Sequence, residues 1–371
     1  MSEAERNGFP QTMGGLTSLR FWLSLGVVIF HYTLLQPWRD DAASGLIERA
    51  RLGVDVFFIL SGFVLFHVYG EAAMAGRLDY RRFLVARIAR IYPAHLLILA
   101  GMAVMAGAAV AVGAGFDHEL YDVSGFLRTL LLIHAWFPAD KPVEWNGPSW
   151  SLSAEWAAYL AFPLFAALAG ALKRRPWVLL GVAVASFLVI DQAYRAWSGG
   201  ALTHAEFNVG VARIAPEFLY GIALYQLGRR WAPTGTQAGA AALASGGGLL
   251  LLMHLHADER VLIGVAGLLV LSLALCAKAG VEAPGWLARP LREGGEASYA
   301  LYLLHIPLLV AWKNGMSVLH GIDSHYLLAP WELAVLIPTA VAGALAIHFL
   351  IERPARLWIR GRIGEPAALV A

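Results

Sequence analysis

Long apolar runs recur along the whole chain, and this repetition constrains the fold more than any other feature. Each run has roughly 20 residues, which is enough to cross a hydrocarbon core of about 30 Å as an α-helix. The runs lack the alternating pattern and the roughly 10-residue length of strands in a membrane barrel. Because a helix satisfies its backbone hydrogen bonds within one segment, the sequence predicts an all-α, polytopic bundle of transmembrane helices.

The composition excludes an ordinary soluble domain. Hydrophobic residues make up 58% of the 371 residues and charged residues only 15%, whereas a soluble domain carries about a quarter charged residues. The formal net charge of +2 gives no indication of nucleic-acid binding. The sole cysteine, Cys276, lies in an apolar run, so we expect a buried structural thiol and no disulfide within the chain.

About ten spans are predicted, and the lysine and arginine residues orient them. Of these 28 residues, 18 fall on the side of the N-terminus, 7 on the opposite side and 3 within spans. The positive-inside rule therefore places both termini in the cytoplasm, in a multi-pass protein of the inner (cytoplasmic) membrane without a cleaved signal peptide. A short apolar stretch from Phe126 to Trp136 is predicted as an interfacial helix. The spans are placed at 16–36, 53–70, 84–112, 150–170, 176–194, 208–228, 236–256, 260–278, 297–317 and 331–352.

No linker or internal repeat interrupts this pattern. We therefore expect one membrane domain over residues 1–371, with a core at about 14–356 and short cytoplasmic tails.

The first span carries two polar residues, Arg20 and His31. An ionisable group within a span costs at least about 2.5 to 3.5 kcal/mol on insertion scales, so each is a functional candidate. The two lie about 16 Å apart along a helix and on one face, with Arg20 near the cytoplasmic end. A snorkelling arginine and a satisfied buried imidazole are equally compatible with the pattern.

The fourth span carries a polar stripe of Ser151, Glu155 and Tyr159 at every fourth residue. Counting along the two helices places Glu155 at nearly the depth of His31. An imidazole and a carboxylate at one level suit a base and its orienting partner. A structural hydrogen bond between helices is the alternative for Glu155.

Further polar residues allow two interpretations each. On the ninth span, Tyr302 and His305 share a face and either line a substrate path or bond across helices. Asp55 near the outer end of the second span is either a polar cap or a substrate contact. In the sixth span, Arg213 and Glu217 stand four residues apart, which favours mutual neutralisation and a structural role.

The cytoplasmic end of the third span is rich in arginine. Such a cluster usually anchors topology, but guanidinium groups also suit phosphates, and coenzyme A carries a diphosphate and a ribose phosphate. The cluster comprises Arg81, Arg82, Arg87 and Arg90.

These segments together resemble the membrane acyltransferase-3 family, which O-acylates sugars and related acceptors. The resemblance covers about residues 14 to 356 and rests on six motifs in order. They are Arg20 and His31 with ten residues between them, GVDVFFILSGF, RIARIYP, PSWSLSAEW, SYALYLLH and the closing IERP. The resemblance implies that Arg20 and His31 are essential, that Arg87 and Arg90 serve the acyl donor, and that Glu155 supports the site. Some relatives carry an appended esterase-like domain, and we expect none here.

The hypothesis is an acyl-CoA-dependent O-acyltransferase, with acetyl-CoA the expected donor substrate and no permanently bound cofactor or metal. Acyl-CoA docks from the cytoplasm on Arg87, Arg90 and Arg82, and its pantetheine arm passes along Arg20. His31 removes the proton of an acceptor hydroxyl, or takes the acyl group itself. Glu155 orients the imidazole, and Asp55, Ser151, Tyr302 and His305 are the candidate substrate contacts.

Two other classes of protein remain. A secondary transporter also holds ionisable groups at mid-membrane, although no repeat symmetry supports it. A membrane scaffold without chemistry is the third class. The sequence leaves open the acyl length, the oligomeric state and the acceptor, for which a surface glycan, peptidoglycan, a lipid-linked sugar and a small metabolite are all candidates.

Overall fold

The computed structural model describes residues 8–37, 44–111, 119–138, 145–321 and 326–363, and within these ranges it is helical, without a strand. The all-α prediction is therefore confirmed for the described part of the chain. Three 3-10 turns and one π-helical segment, His348–Glu352, accompany the α-helices. The α-helices are α1 Gly14–Thr33, α2 Gly45–Arg49, α3 Gly53–Met74, α4 Tyr80–Ala111, α5 Val123–Leu130, α6 Trp150–Leu160, α7 Phe162–Ala171, α8 Pro176–Ser198, α9 Val211–Gly228, α10 Gly235–His254, α11 Glu259–Lys278, α12 Gly285–His320, α13 Pro330–Ile347 and α14 Arg353–Ile363.

The chain is a multi-span membrane protein, although the predicted number of ten spans is not confirmed. Among the described residues, 7 helical stretches are long and apolar enough to cross a membrane, or 8 if the bent pair α6 and α7 forms one span. Helices α9 and α12 lie where spans were predicted, but their buried polar residues lower their hydropathy. The cytoplasmic position of the termini stays a prediction, and residues 1–7 and 364–371 of the tails lie outside the described residues.

The predicted interfacial helix is shorter than expected. Helix α5 ends at Leu130 rather than near Trp136, and Leu132 has a positive φ of 56°, which is incompatible with helix continuation. Parts of the 113–149 loop lie outside the described residues. Cys276 is buried and free, as expected.

Glycines allow two helix pairs to approach closely, and these pairs place the site. An ideal Cβ on Gly62 of α3 would lie 2.0 Å from the carbonyl oxygen of Phe218 on α9. Similarly, a Cβ on Gly295 of α12 would lie 2.0 Å from the carbonyl oxygen of Thr17 on α1. Since small residues permit such backbone contact in membranes, α12 packs directly along α1, and their polar residues meet.

A cluster of ion pairs joins three loops on the face predicted to be outside. Arg49 and Arg51 each donate to Glu259 Oε1 at 2.5 Å, and Arg51 also donates to the carbonyl of Thr203. Burial, followed by the positive charge of Arg51, lowers the pKa of the His204 imidazole. His204 Nε2 lies 2.8 Å from an Arg51 nitrogen and thus accepts its hydrogen bond as the neutral ring.

Candidate active site

A cavity of about 150 Å³ lies between α1, α3, α4, α6 and α12. Three arginines and one glutamate reach it from three different helices, together with several hydroxyl groups. Most of the residues that the sequence singled out are therefore brought together here. The polar lining includes Arg20, Ser61, Arg87, Arg90, Ser151, Glu155, Tyr159, Tyr299 and Tyr302.

Glu155 is held by hydroxyl groups rather than by a histidine. The Ser61 hydroxyl donates to Glu155 Oε1 at 2.8 Å, and the Tyr159 hydroxyl donates to the same oxygen at 2.6 Å. Tyr159 is one turn further along α6, as the polar stripe predicted. Glu155 also interacts electrostatically with Arg20 and Arg87. This carboxylate therefore offsets part of the positive charge in the cavity.

The expected contact between Glu155 and His31 is not formed, and this corrects the sequence interpretation. Counting along a span gives a level in the membrane but not the helix that a side chain contacts: Glu155 contacts Ser61 on α3, and His31 contacts His305 on α12. The fourth span is also broken after Leu160, beyond Glu155, and α6 and α7 differ in direction by 55°. Pro163 near the start of α7 explains the break, since proline has no backbone N–H for the preceding turn. The catalytic role of Glu155 stays a prediction.

His31 meets His305 instead. His305 Nε2 lies 3.2 Å from His31 Nδ1, and the ring centroids are 4.9 Å apart. His31 Nδ1 is also 2.9 Å from the Val27 carbonyl oxygen, and His305 Nδ1 is 2.6 Å from the Tyr302 carbonyl oxygen. Neither histidine is among the residues that line the 150 Å³ cavity.

The two carbonyl contacts determine the protonation of the neutral pair. A carbonyl oxygen only accepts, so His305 Nδ1 carries its proton and His305 Nε2 presents a lone pair. His31 Nδ1 then carries a proton, which it shares between Val27 and His305. His31 Nε2 is consequently unprotonated, which is the state that a general base needs.

The predicted donor arginines separate into two environments. Arg87 donates to the Tyr69 hydroxyl at 3.3 Å and lies 5.9 Å from the centre of the Tyr159 ring. Arg90 lies over the Tyr299 ring at 5.3 Å, and its Nη1 is 3.8 Å from Glu352 Oε1. Both arginines line the cavity, where their cations are stabilised by aromatic faces.

Arg82 lies apart from these two. It is exposed in the first turn of α4 and pairs with Asp79 at 3.1 Å, and it is not among the cavity-lining residues. A role in donor binding stays a prediction for all three arginines. The exposed position of Arg82, away from the cavity, does not support such a role.

Asp55 and Arg213 form a fully buried ion pair. Arg213 Nε and Nη2 donate to the two Asp55 oxygens at 2.8 and 2.5 Å, and the guanidinium lies over Trp150 at 5.0 Å. The expected pairing of Arg213 with Glu217 is therefore wrong. A bidentate carboxylate on the neighbouring helix matches the planar guanidinium better than a residue one turn away, and neither carboxylate oxygen of Glu217 has a hydrogen-bond partner among the described residues.

Of the remaining candidate substrate contacts, two line the cavity and Asp55 does not. Ser151 donates to the Tyr302 hydroxyl at 3.0 Å, and both residues line the cavity. Asp55 does not line it, because Arg213 occupies its carboxylate. Several polar residues at the cavity were not singled out from the sequence, among them Ser61 and Tyr299, which line it, and Glu352, which pairs with the lining residue Arg90. Ser61 lies within the motif GVDVFFILSGF and Glu352 lies within IERP, so the family motifs indicate both residues.

Buried arginines, a carboxylate and a histidine pair within a multi-span helix bundle mark a candidate functional site in the membrane. The family model for the acyltransferase domain of the acyltransferase-3 type matches residues 13–349. The chain therefore belongs to the acyltransferase-3 family of membrane acyltransferases.

Three curated relatives extend this result. The acyltransferase MdmB of Streptomyces mycarofaciens is 30% identical, with 91% of this chain and 90% of that protein covered. The exopolysaccharide production protein ExoZ of Rhizobium meliloti is 27% identical over 86% of this chain and 93% of its own length. The putative peptidoglycan O-acetyltransferase YrhL of Bacillus subtilis is 26% identical over 92% of this chain and 54% of its own length. No solved structure matches the chain significantly.

Proposed function

We propose that the protein is an inner-membrane O-acyltransferase that moves an acyl group, acetyl being the best fit, from cytoplasmic acyl-CoA to a hydroxyl of a glycan or related acceptor. The observation that carries the proposal is the convergence of Arg20, Arg87, Arg90 and Glu155 on one buried cavity. This cavity adjoins the helix that presents His31. The names of ExoZ and YrhL support a carbohydrate acceptor.

The cavity suits the reacting end of a short donor. A space of about 150 Å³ is comparable with an engineered protein cavity that binds benzene. An acetyl thioester fits such a space, whereas a long fatty acyl chain does not. Arg87 and Arg90 supply fixed positive charge where negative charge develops on the thioester oxygen.

His31 supplies the proton transfer. Its Nε2 removes the proton of the acceptor hydroxyl while the hydroxyl oxygen attacks the thioester carbonyl. The carbon–sulfur bond breaks, the ester forms, and the proton on His31 passes to the departing thiolate. In the alternative order, His31 first takes the acyl group, releases the thiol and then passes the acyl group to the acceptor. In both orders Glu155 balances the charge of the arginines.

The test is acetyl transfer by the purified protein in lipid nanodiscs. We expect it to bind acetyl-CoA and to release the free thiol in step with acetylation of a hydroxylated acceptor. Folded protein that neither binds nor turns over acetyl-CoA contradicts the proposal and reopens the transporter alternative. Mass spectrometry of surface glycans with and without the gene identifies the acceptor. Reporters fused after Arg362 and within the 113–149 loop test the orientation, because the first must stay cytoplasmic and the second must be exported.

A further inference from the structure

A groove of about 1070 Å³ adjoins the 150 Å³ cavity. It lies among the beginnings of α1 and α12, the second half of α11, and α14. The positive-inside pattern places this end of the molecule in the cytoplasm. The groove is lined by six arginines and three glutamates, which are Arg20, Arg90, Arg289, Arg292, Arg353, Arg356, Glu282, Glu293 and Glu296.

Arg20 and Arg90 line the groove as well as the cavity. These two side chains therefore mark the place where the two spaces meet. A ligand with a bulky anionic end and a narrow arm can occupy both spaces, with the arm passing between the two guanidinium groups.

The groove also contains a buried arginine, Arg356, whose positive charge is only partly balanced by neighbouring carboxylates. Arg356 is 8% exposed, and its Nε atom has no hydrogen-bond partner. Arg90 and Arg360 add like charge around it, and Glu352 and Glu296 provide the opposing charge. A buried guanidinium without full pairing is costly. An anion that binds here therefore gains more binding free energy than it gains at an exposed arginine.

We propose that this groove binds the phosphorylated nucleotide of the acyl-CoA donor on Arg292, Arg353 and Arg356. The inference rests on the proposed function and changes where the phosphates lie. The sequence placed them on Arg82, Arg87 and Arg90, but a nucleotide with three phosphates does not fit a cavity of about 150 Å³. The groove has the volume of an ordinary ligand pocket, about 300 to 1000 Å³ or slightly more. Arg87 and Arg90 then serve the thioester end, and Arg90 also lies where the cavity and the groove meet.

The experiment compares two donors that share the thioester. Acetyl-CoA carries the nucleotide, whereas acetyl-pantetheine lacks it. The variants are Arg292→Gln and Arg353→Gln, which change exposed side chains and are not expected to disturb folding. Arg174→Gln, an exposed arginine on the same predicted face, is the control. Arg356→Lys keeps the buried charge and removes only the planar fork.

We expect each groove variant to raise KM for acetyl-CoA about 10-fold or more, because a hydrogen bond to a charged group contributes roughly that much to affinity. kcat changes little, since ground-state contacts act through binding. Turnover of acetyl-pantetheine stays unchanged in the same variants. Adenosine 3′,5′-bisphosphate, which keeps the adenosine and two of the three phosphates, competes with acetyl-CoA in the wild type and competes more weakly in the variants.

The outcomes separate the two proposals. Equal KM values for acetyl-CoA in wild type and groove variants overturn the nucleotide site but leave the acyltransferase proposal intact. An absence of turnover with either donor in the wild type overturns both. The measurement is repeated in phosphatidylcholine nanodiscs with and without phosphatidylglycerol. If the nucleotide never competes and phosphatidylglycerol binding alone depends on Arg292 and Arg353, the groove is a lipid headgroup site and the proposal is wrong.

Discussion

His305 Nε2 accepts from His31 Nδ1 at 3.2 Å, so one histidine fixes which nitrogen of the other is free. The contact joins α1 and α12, the same two helices that approach closely where Gly295 meets Thr17, nearer the start of each helix. The proton positions follow from two carbonyl partners, Val27 and Tyr302. This pair therefore presents an unprotonated His31 Nε2 without a carboxylate partner.

His31→Ala is expected to abolish acyl transfer. Loss of a general base typically costs about 10² to 10⁴ in rate, and loss of a covalent acyl carrier costs at least as much. Thiol release from acetyl-CoA with acceptor is the measurement, and acetyl-CoA binding by the same variant shows that the site is intact. Substantial transfer by a folded variant moves the reactive base elsewhere, with His305 as the next residue to test.

His305→Phe is expected to lower the rate less than His31→Ala does, because it removes only the acceptor that favours one tautomer of His31. Without that acceptor, His31 Nδ1 retains the Val27 carbonyl as partner, so part of the activity remains. A positioning role also changes the pH profile of kcat, which a loss of folding does not. His305→Gln restores an acceptor oxygen and is expected to recover part of the lost rate. Identical pH profiles in wild type and His305→Phe contradict this role.

Glu155→Gln is expected to retain a fraction of the activity. The amide oxygen still accepts from Ser61 and Tyr159, whereas the negative charge among Arg20, Arg87 and Arg90 is lost. Glu155→Ala removes both and is expected to be less active than Glu155→Gln. The rates of the two variants at saturating donor measure the separate effects of shape and charge. Full activity of Glu155→Ala shows that the residue is structural only.

Asp55→Ala is expected to destabilise the protein strongly. Removal of one partner from a buried ion pair costs about 3 to 5 kcal/mol, because the other charge is left uncompensated. Thermal unfolding in detergent is the measurement. The double variant Asp55→Leu with Arg213→Met is expected to be more stable than Asp55→Ala alone, since it removes both charges. If the double variant loses as much unfolding free energy as Asp55→Leu and Arg213→Met lose together, the two residues are not coupled.

Gly62→Ala is expected to push α3 away from α9. The added methyl group would lie 2.0 Å from the Phe218 carbonyl oxygen, and overpacking of this kind costs about 1 to 3 kcal/mol or more. Gly107→Ala on α4 is the matched control, because no heavy atom lies within 4 Å of its added Cβ. The thermal midpoints of the two variants are compared. A Gly62→Ala protein as stable as Gly107→Ala contradicts the close approach.

Periodicity and polar residues within apolar runs predicted the helical fold and many of the residues that line the cavity. Hydropathy located the helices because a spanning helix must be apolar along the length that faces lipid. Ionisable residues were recognisable because each is costly within a span, as for Arg20, Arg87, Arg90 and Glu155. Partners across helices could not be predicted in the same way. Counting residues along a span gives a depth but not a partner, and Glu155 binds Ser61 and Tyr159 while His31 contacts His305.

Local spacing gave the wrong partner for Arg213 for a related reason. Residues four apart share a helix face, but Asp55 on α3 offers both carboxylate oxygens to the same guanidinium. Only the packing of α3 against α9 decides which carboxylate Arg213 meets. That packing depends on Gly62 and Gly221, each of which lies against the backbone of the other helix. A glycine in the sequence does not indicate which helix will pack against it.

The π-helical segment His348–Glu352 sets the rotational phase of the helix that follows it. An α-helix advances about 100° per residue, and a π segment corresponds to one additional residue within an α-helix. Arg353 and Arg356 line the groove at angles that include this additional step. A chain with one residue fewer in the segment would turn both guanidinium groups by about 100° about the helix axis, away from the groove. A single deletion in this segment would therefore change which side chains the last helix presents to the groove.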